Sequence, residues 1–275
     1  MGKITQILVA GLMVFMALPA LAQTSGSPLD ITAEQTLEWH RDKREFIARG
    51  DVVAAQGGMK IHSETLTATY SEGAEGGSFD VRTLTAQNNV RIESEDGTAY
   101  GEFATYSVET GKATLKGDNS RLVSDNVTVY GTQGFEYDVP AGKMVTLEGG
   151  KAVQTTEKGE NTITSDQLVV TFHTDEERAE QASSDREMKT MEAHGNVVII
   201  TPTETITGDK LVYDKKTNTA DMTGNVHIKR EQNTLEGSRA KVNLTTNVST
   251  LYGGTDGRVK GTFYPSGDSA FSDTP

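Results

Sequence analysis

The sequence predicts an all-β chain made of a repetitive stack of similar antiparallel strand units. Three observations point there. Apolar residues alternate with polar ones in many short runs, the runs recur around a Gly or Asn centre, and a small-acidic pair in the element that follows reverses the apolar parity.

The alternation is plainest in Phe46, Ala48, Gly50, Val52, Ala54 and in Leu84, Ala86, Asn88, Val90, Ile92. Period 2 places such residues on one face of a strand. On a helix, positions two apart lie about 200° round the axis, so the same residues would fall on opposite sides. The recurrence is centred on positions 50, 88, 117, 149, 195, 224 and 253, and the two best copies, 191–199 and 220–228, are 29 residues apart. A glycine at such a centre reads as a bulge or bend.

The parity change is seen where Ile206 and Gly208 are in phase but Leu211 and Tyr213 are not, and where Leu235 is out of phase with Ala240 and Val242. One strand cannot keep both sets on one face. The short pairs between them, Ser63-Glu64, Ser165-Asp166 and Gly208-Asp209, are therefore corners that turn the apolar side inward again. Polar segments such as 214–218 and 109–112 return the chain to the next copy. Each unit buries its apolar face only against its neighbours. The first strand, at 29–33, and the last, at 258–263, then sit at opposite ends with an unpaired edge each.

At the chain start, Lys3, the apolar stretch 7–18 and Ala20-Leu21-Ala22 have the form of a secretory signal peptide, residues 1–22. An uncleaved anchor is the alternative, although about 15 apolar residues is short for a span of about 20. Residues 23–264 then form a single β domain, with an inserted polar loop at 173–187 and a disordered tail at 265–275.

Composition narrows the function. Lys and Arg number 26 against 39 Asp and Glu, a net charge of −13 that falls to −14 once the segment carrying Lys3 is removed. This is the wrong sign for a nucleic-acid binder. The absence of Cys excludes disulfides, thiol nucleophiles and Cys-ligated metals. The five His, at 40, 62, 173, 194 and 227, show no zinc-ligand spacing, and His194 and His227 fall on the outward phase. The group His173, Asp175, Glu176 and Glu177 reads as a solvated loop. No nucleophile elbow or phosphate-binding loop is present, so no catalytic residue, metal or cofactor is implied. The acidic corners Glu64, Glu102, Asp166 and Asp209 leave one enzymatic alternative, a secreted β-helix hydrolase of polysaccharide using paired carboxylates. Their recurrence once per unit is what a structural corner produces.

Residues 28–34, 46–57, 61–70, 191–213 and 220–244 together resemble the OstA-like family of periplasmic lipopolysaccharide-transport proteins. The resemblance covers about residues 28–261 and is weakest at 117–137 and 149–162, where the strand register is not legible. It implies a jelly-roll-like trough, a β-taco of stacked strands folded in a V with open edges. It also implies lipopolysaccharide as ligand, head-to-tail self-association, and LptC-like inner-membrane and LptD-like outer-membrane partners in a bridge across the periplasm. A membrane-anchored LptC-like component of the same pathway is the nearest alternative. On this reading the lipid acyl chains would meet the inward apolar set: Val52, Ile61, Leu66, Leu84, Val90, Ile92, Leu168, Met191, Val197, Ile199, Ile206, Leu211, Met222, Val226 and Ile228. An ordinary sealed core has the same pattern. With so few basic residues, affinity would come from acyl burial at about 0.8 kcal/mol per CH₂.

Overall fold

Twenty strands, every pairing antiparallel, account for nearly all of the regular structure in the computed structural model, which describes residues 28–72, 79–94, 97–174, 176–178, 188–246, 248–254 and 257–264. The leader expected at 1–22, the tail at 265–275 and most of the 173–187 insertion lie outside the described residues. In chain order the strands are β1 (Asp30–Thr32), β2 (Thr36–His40), β3 (Glu45–Gln56), β4 (Met59–Glu72), β5 (Phe79–Ser94) and β6 (Gly97–Ser107). Eight short strands follow: β7 (Lys112–Lys116), β8 (Arg121–Ser124), β9 (Val127–Gly131), β10 (Gly134–Asp138), β11 (Lys143–Leu147), β12 (Gly150–Thr156), β13 (Gly159–Ser165) and β14 (Gln167–Phe172). Long strands then resume with β15 (Met188–Ile200), β16 (Thr205–Asp214), β17 (Thr219–Arg230) and β18 (Asn233–Asn243), before β19 (Val248–Tyr252) and β20 (Lys260–Thr262).

Every second long strand bends at two successive left-handed residues. They are Gly50 (φ 82°) and Asp51 (38°), Asn88 (64°) and Asn89 (53°), Gly195 (72°) and Asn196 (46°), and Gly224 (78°) and Asn225 (46°). Gly and Asn take this conformation at the lowest cost. The next residue, Val52, Val90, Val197 or Val226, re-enters the ladder fully buried. That is the local reason for the recurring Gly-Asn-Val. The neighbouring strand bends at one residue: His194 pairs with Lys210 and Val197 with Gly208, so 195–196 face Asp209 alone.

The acidic corner residues tie this spine together. Asn196 Nδ2 donates to Asp166 Oδ2 at 2.9 Å, Asn225 Nδ2 to Asp209 Oδ2 at 3.0 Å, and Asn89 Nδ2 to Glu64 Oε1 at 3.3 Å. A Cβ at Gly195 or Gly224 would lie 2.2 Å from the same carboxylate oxygens of Asp166 and Asp209. From β7 to β14 the same bend falls between strands, at Gly117 and at Glu148-Gly149, and divides each long strand into two short ones.

The spine separates two walls. Wall I contains β2, one half of each long strand, then β7, β10, β11 and β14 in mid-chain, and β19 at the end. Wall II contains β1, the other halves, then β8, β9, β12 and β13, and β20 at the end. The two walls fold face to face over one continuous apolar cluster that runs from Ala48 to Ala240, which is the β-taco expected. The hairpin turns line two lips opposite the spine. The unpaired edges lie where expected, on β1 and β2 at one end and on β19 and β20 at the other. β2 was not anticipated.

Candidate functional site

Inward parity selects the candidate site, and all fifteen predicted residues face the interior. Fourteen are buried, and Ile228 is half-buried against the cluster. The interior is not uniform along its length. In the C-terminal half Ile163, Phe172, Ala193, Val197 and Val226 are wholly sealed. In the N-terminal third an apolar cleft, with a cavity of about 40 Å³ that opens to solvent, is lined by Met59, Ile61, Leu66, Leu84, Ile92 and Tyr106. A second cleft, with a cavity of about 170 Å³ lined by Leu29, Gln56, Phe79, Val81, Leu84 and Val108, shares Leu84 with the first and lies towards the lips. Of the predicted set, Ile61, Leu66, Leu84 and Ile92 therefore border open space. Val52 and Val90 pack at the spine.

The two lips differ in chemistry. Among the inward positions of wall I near its lip, interleaved with Ala113, Met144, Met191 and Ala220, runs a row of aromatics: Trp39, Tyr70, Tyr106, Tyr137, Phe172 and Tyr213. At the N-terminal end they form a cluster, with Phe46 5.6 Å from Trp39 and 5.0 Å from Tyr70, and Phe79 4.8 Å from Tyr70. Trp39 Nε1 donates to Tyr70 Oη at 2.7 Å, and the Arg41 guanidinium lies 4.1 Å from the Trp39 ring centroid. Such rings place an apolar body inside and a polar tip at the water boundary. Burial pushes the Tyr213 phenol up, and its hydroxyl donates to Asn218 Oδ1 at 3.1 Å.

Inward positions at the lip of wall II are mostly polar, namely Gln56, Ser94, Ser124, Gln154, Asn161, Glu204, Arg230 and Asn233, with Met59 and Val127 the apolar exceptions. Asn161 Nδ2 donates to Gln154 Oε1 at 3.2 Å. Neither lip was read from the sequence. The tyrosines recur one turn before each polar return, but only the wall assignment shows that they share a rim.

At the unpaired ends the inner face is uncovered. Leu37 is 61% and Trp39 45% exposed on β2, and Phe263 is 69% exposed where its ring crosses Gly261 of β20. On the outer faces His194 contacts Glu192 (3.0 Å), and His227 is exposed near Glu236. Lys210 bonds Glu192 and holds its carboxyl below the usual range. Glu177 of the inserted segment is bonded by Lys189 (2.6 Å) and by the Thr174 amide (2.9 Å), which lower its pKa. Among the described residues no group of His, Asp and Glu has the geometry to hold a metal ion.

The family model described as "LptA/(LptD N-terminal domain) LPS transport protein" matches the sequence twice, over residues 30–143 and 135–248. The chain belongs to this family. The LptA/LptD N-terminal family is one of transport proteins rather than enzymes, and the acidic corners engaged by Asn side chains agree with that. Among solved structures the chain is similar to LptH of Pseudomonas aeruginosa, the LptA-homologous periplasmic component of a lipopolysaccharide transport device. Identity is 11%, 86% of this chain and 96% of that one are covered, and the TM-score is 0.21. No curated protein sequence matches. Among the described residues no helix is long and apolar enough to cross a membrane.

Proposed function

We propose that this chain is an LptA-type periplasmic component, which takes the acyl chains of lipopolysaccharide between its walls and leaves the saccharide in water. The observation that carries the reading is the apolar cleft at Ile61, Leu84 and Ile92, which opens the apolar interior to solvent. Burial of each CH₂ there contributes about 0.8 kcal/mol, and the aromatic lip suits a molecule whose head stays wet. Residues 1–22 serve as a cleaved export signal on this reading, and 23–264 act as one domain.

The uncovered apolar ends support assembly. Leu37 and Trp39 at one edge and Phe263 at the other are exposed on inner faces, where a further strand would extend the trough. Two different edges meeting head to tail do not close into a ring. The chain thus joins copies of itself, an LptC-like partner at the inner membrane and an LptD-like partner at the outer membrane. The test is a photo-crosslinking scan with lipid recovered on the adduct. Adducts at 61, 92 and 106 and none at outward Thr67 are expected, and equal yields at all four positions would overturn the reading.

A further inference from the structure

Among the described residues, the inward lip positions of wall II from β3 to β18 are uncharged except for Glu204 and Arg230. Pairing of Ile206 with Ile228 and of Thr205 with Lys229 sets these two side by side on adjacent strands. The Glu204 carboxyl is nearly buried, and Arg230 Nη1 lies 3.5 Å from its Oε1 while the arginine side chain is 38% exposed. Thr201 fixes the turn, since its Oγ1 accepts from the Glu204 amide at 2.8 Å and its own amide donates to the Glu204 carbonyl at 2.9 Å. Two residues below Arg230 towards the spine, Ile228 belongs to the apolar interior. A guanidinium therefore stands at the water boundary directly above the apolar interior.

A partly buried ion pair is a poor stability device, because desolvation offsets most of the attraction. The other strands of this lip close with neutral groups, most of them polar, with Met59 and Val127 apolar. What the pair does provide is a cation oriented over the mouth in a chain of net charge −13. Guanidinium is also the side chain best matched to phosphate, with five donors in a fixed fork.

We propose that Arg230 binds an anionic phosphate on the head of the glycolipid whose chains enter the trough, with Glu204 as the internal counter-charge that the phosphate displaces from the guanidinium. The assignment rests on the acyl-binding reading above. It makes wall II the headgroup side of the mouth.

The mature chain and its Arg230→Gln and Glu204→Gln variants are titrated with a phosphorylated lipid A and with the same lipid after removal of its phosphates. Arg230→Gln is expected to weaken the phosphorylated lipid about tenfold, equivalent to about 1.4 kcal/mol, and to leave the dephosphorylated lipid unchanged. Glu204→Gln removes the competing carboxylate and is expected to tighten the phosphorylated lipid alone. A merely structural pair predicts the opposite pattern, both variants weakening both lipids, and that result overturns the proposal. So does an unchanged preference for the phosphorylated lipid in Arg230→Gln. If that variant does not fold, the near-isosteric Glu204→Gln decides by the sign of its effect. Saturable binding of inorganic phosphate alone, lost in Arg230→Gln, would mark a free-anion site and overturn the lipid assignment. A wild-type chain that binds neither lipid refutes the trough itself.

Discussion

Two carboxylates placed at different points of the interior separate an open trough from a sealed core. Ile163 is wholly buried, so Ile163→Glu loses a fully packed side chain, about 1.5–3 kcal/mol, and strands an unpaired charge, about a further 3–5 kcal/mol. Against a total stability of about 5–15 kcal/mol, that variant loses from about a third to all of its stability. Ile61 is 9% exposed and borders the apolar cleft where it opens to solvent, which gives a carboxylate there a route to water. Ile61→Glu is therefore expected to cost no more than the transfer term and to remain folded. Its lipid affinity should fall, since keeping even two methylenes out of the cleft forfeits about 1.6 kcal/mol, more than tenfold. Urea unfolding is followed by far-ultraviolet dichroism and by the fluorescence of Trp39, the single tryptophan, and lipid binding by titration of the folded variant. If Ile61→Glu unfolds as Ile163→Glu does, the interior is sealed throughout. If it folds and binds lipid with unchanged affinity, the cleft is not the binding place.

Three further outcomes are expected. Asn225→Ala loses the bond to Asp209 and places Ala at φ 46°, so the urea midpoint should fall by the equivalent of about 1–2 kcal/mol, whereas Asn225→Gly should recover part of the loss. The Thr217 amide holds the Asp214 carboxyl below its ordinary value of 3.8, so its contribution is present above that pH and lost as pH falls through the lowered folded value. Asp214→Asn should flatten that part of the acid limb, and an unchanged acid titration of stability would refute the assignment. Truncation after Gly254 removes β20 and its exposed Phe263. A concentration-dependent ladder of sizes should then collapse to monomer in sedimentation with the β signal retained, and an unaltered ladder would exclude this edge from assembly.

What was legible in the sequence was whatever local chemistry dictates. The centres at 50, 88, 195 and 224 are bends because left-handed φ selects Gly and Asn, and the Val that follows marks the return to the core. The acidic corners were legible because each must face a two-residue bulge. The register from 117 to 162 was not, since there the bends use Thr132-Gln133 and Glu148-Gly149, and short strands carry too few alternations to set a phase. β2 escaped notice because its inward residues, Leu37 and Trp39, lie at an open edge where burial does not enforce a pattern. All fifteen predicted interior residues face inward, yet which of them border open space depends on the separation of the walls. The contrast between an aromatic and a polar lip likewise depends on which half of each strand joins which wall.

The strands lie crosswise to the trough, and this governs how such a body carries load. Ladder hydrogen bonds run perpendicular to their strands, so tension from one end to the other acts along the bonds and passes through each ladder in series. Strength is then set by the weakest cross-section rather than by the total number of bonds. Counted across both walls, β6 is joined to β7 and β8 over eight residues, β15 to β14 and β13 over nine, and β15 to β16 over nine, so the cross-sections are nearly equal along the trough. A chain held at both ends therefore parts by unzipping at low force, with no single section of the trough much stronger than another.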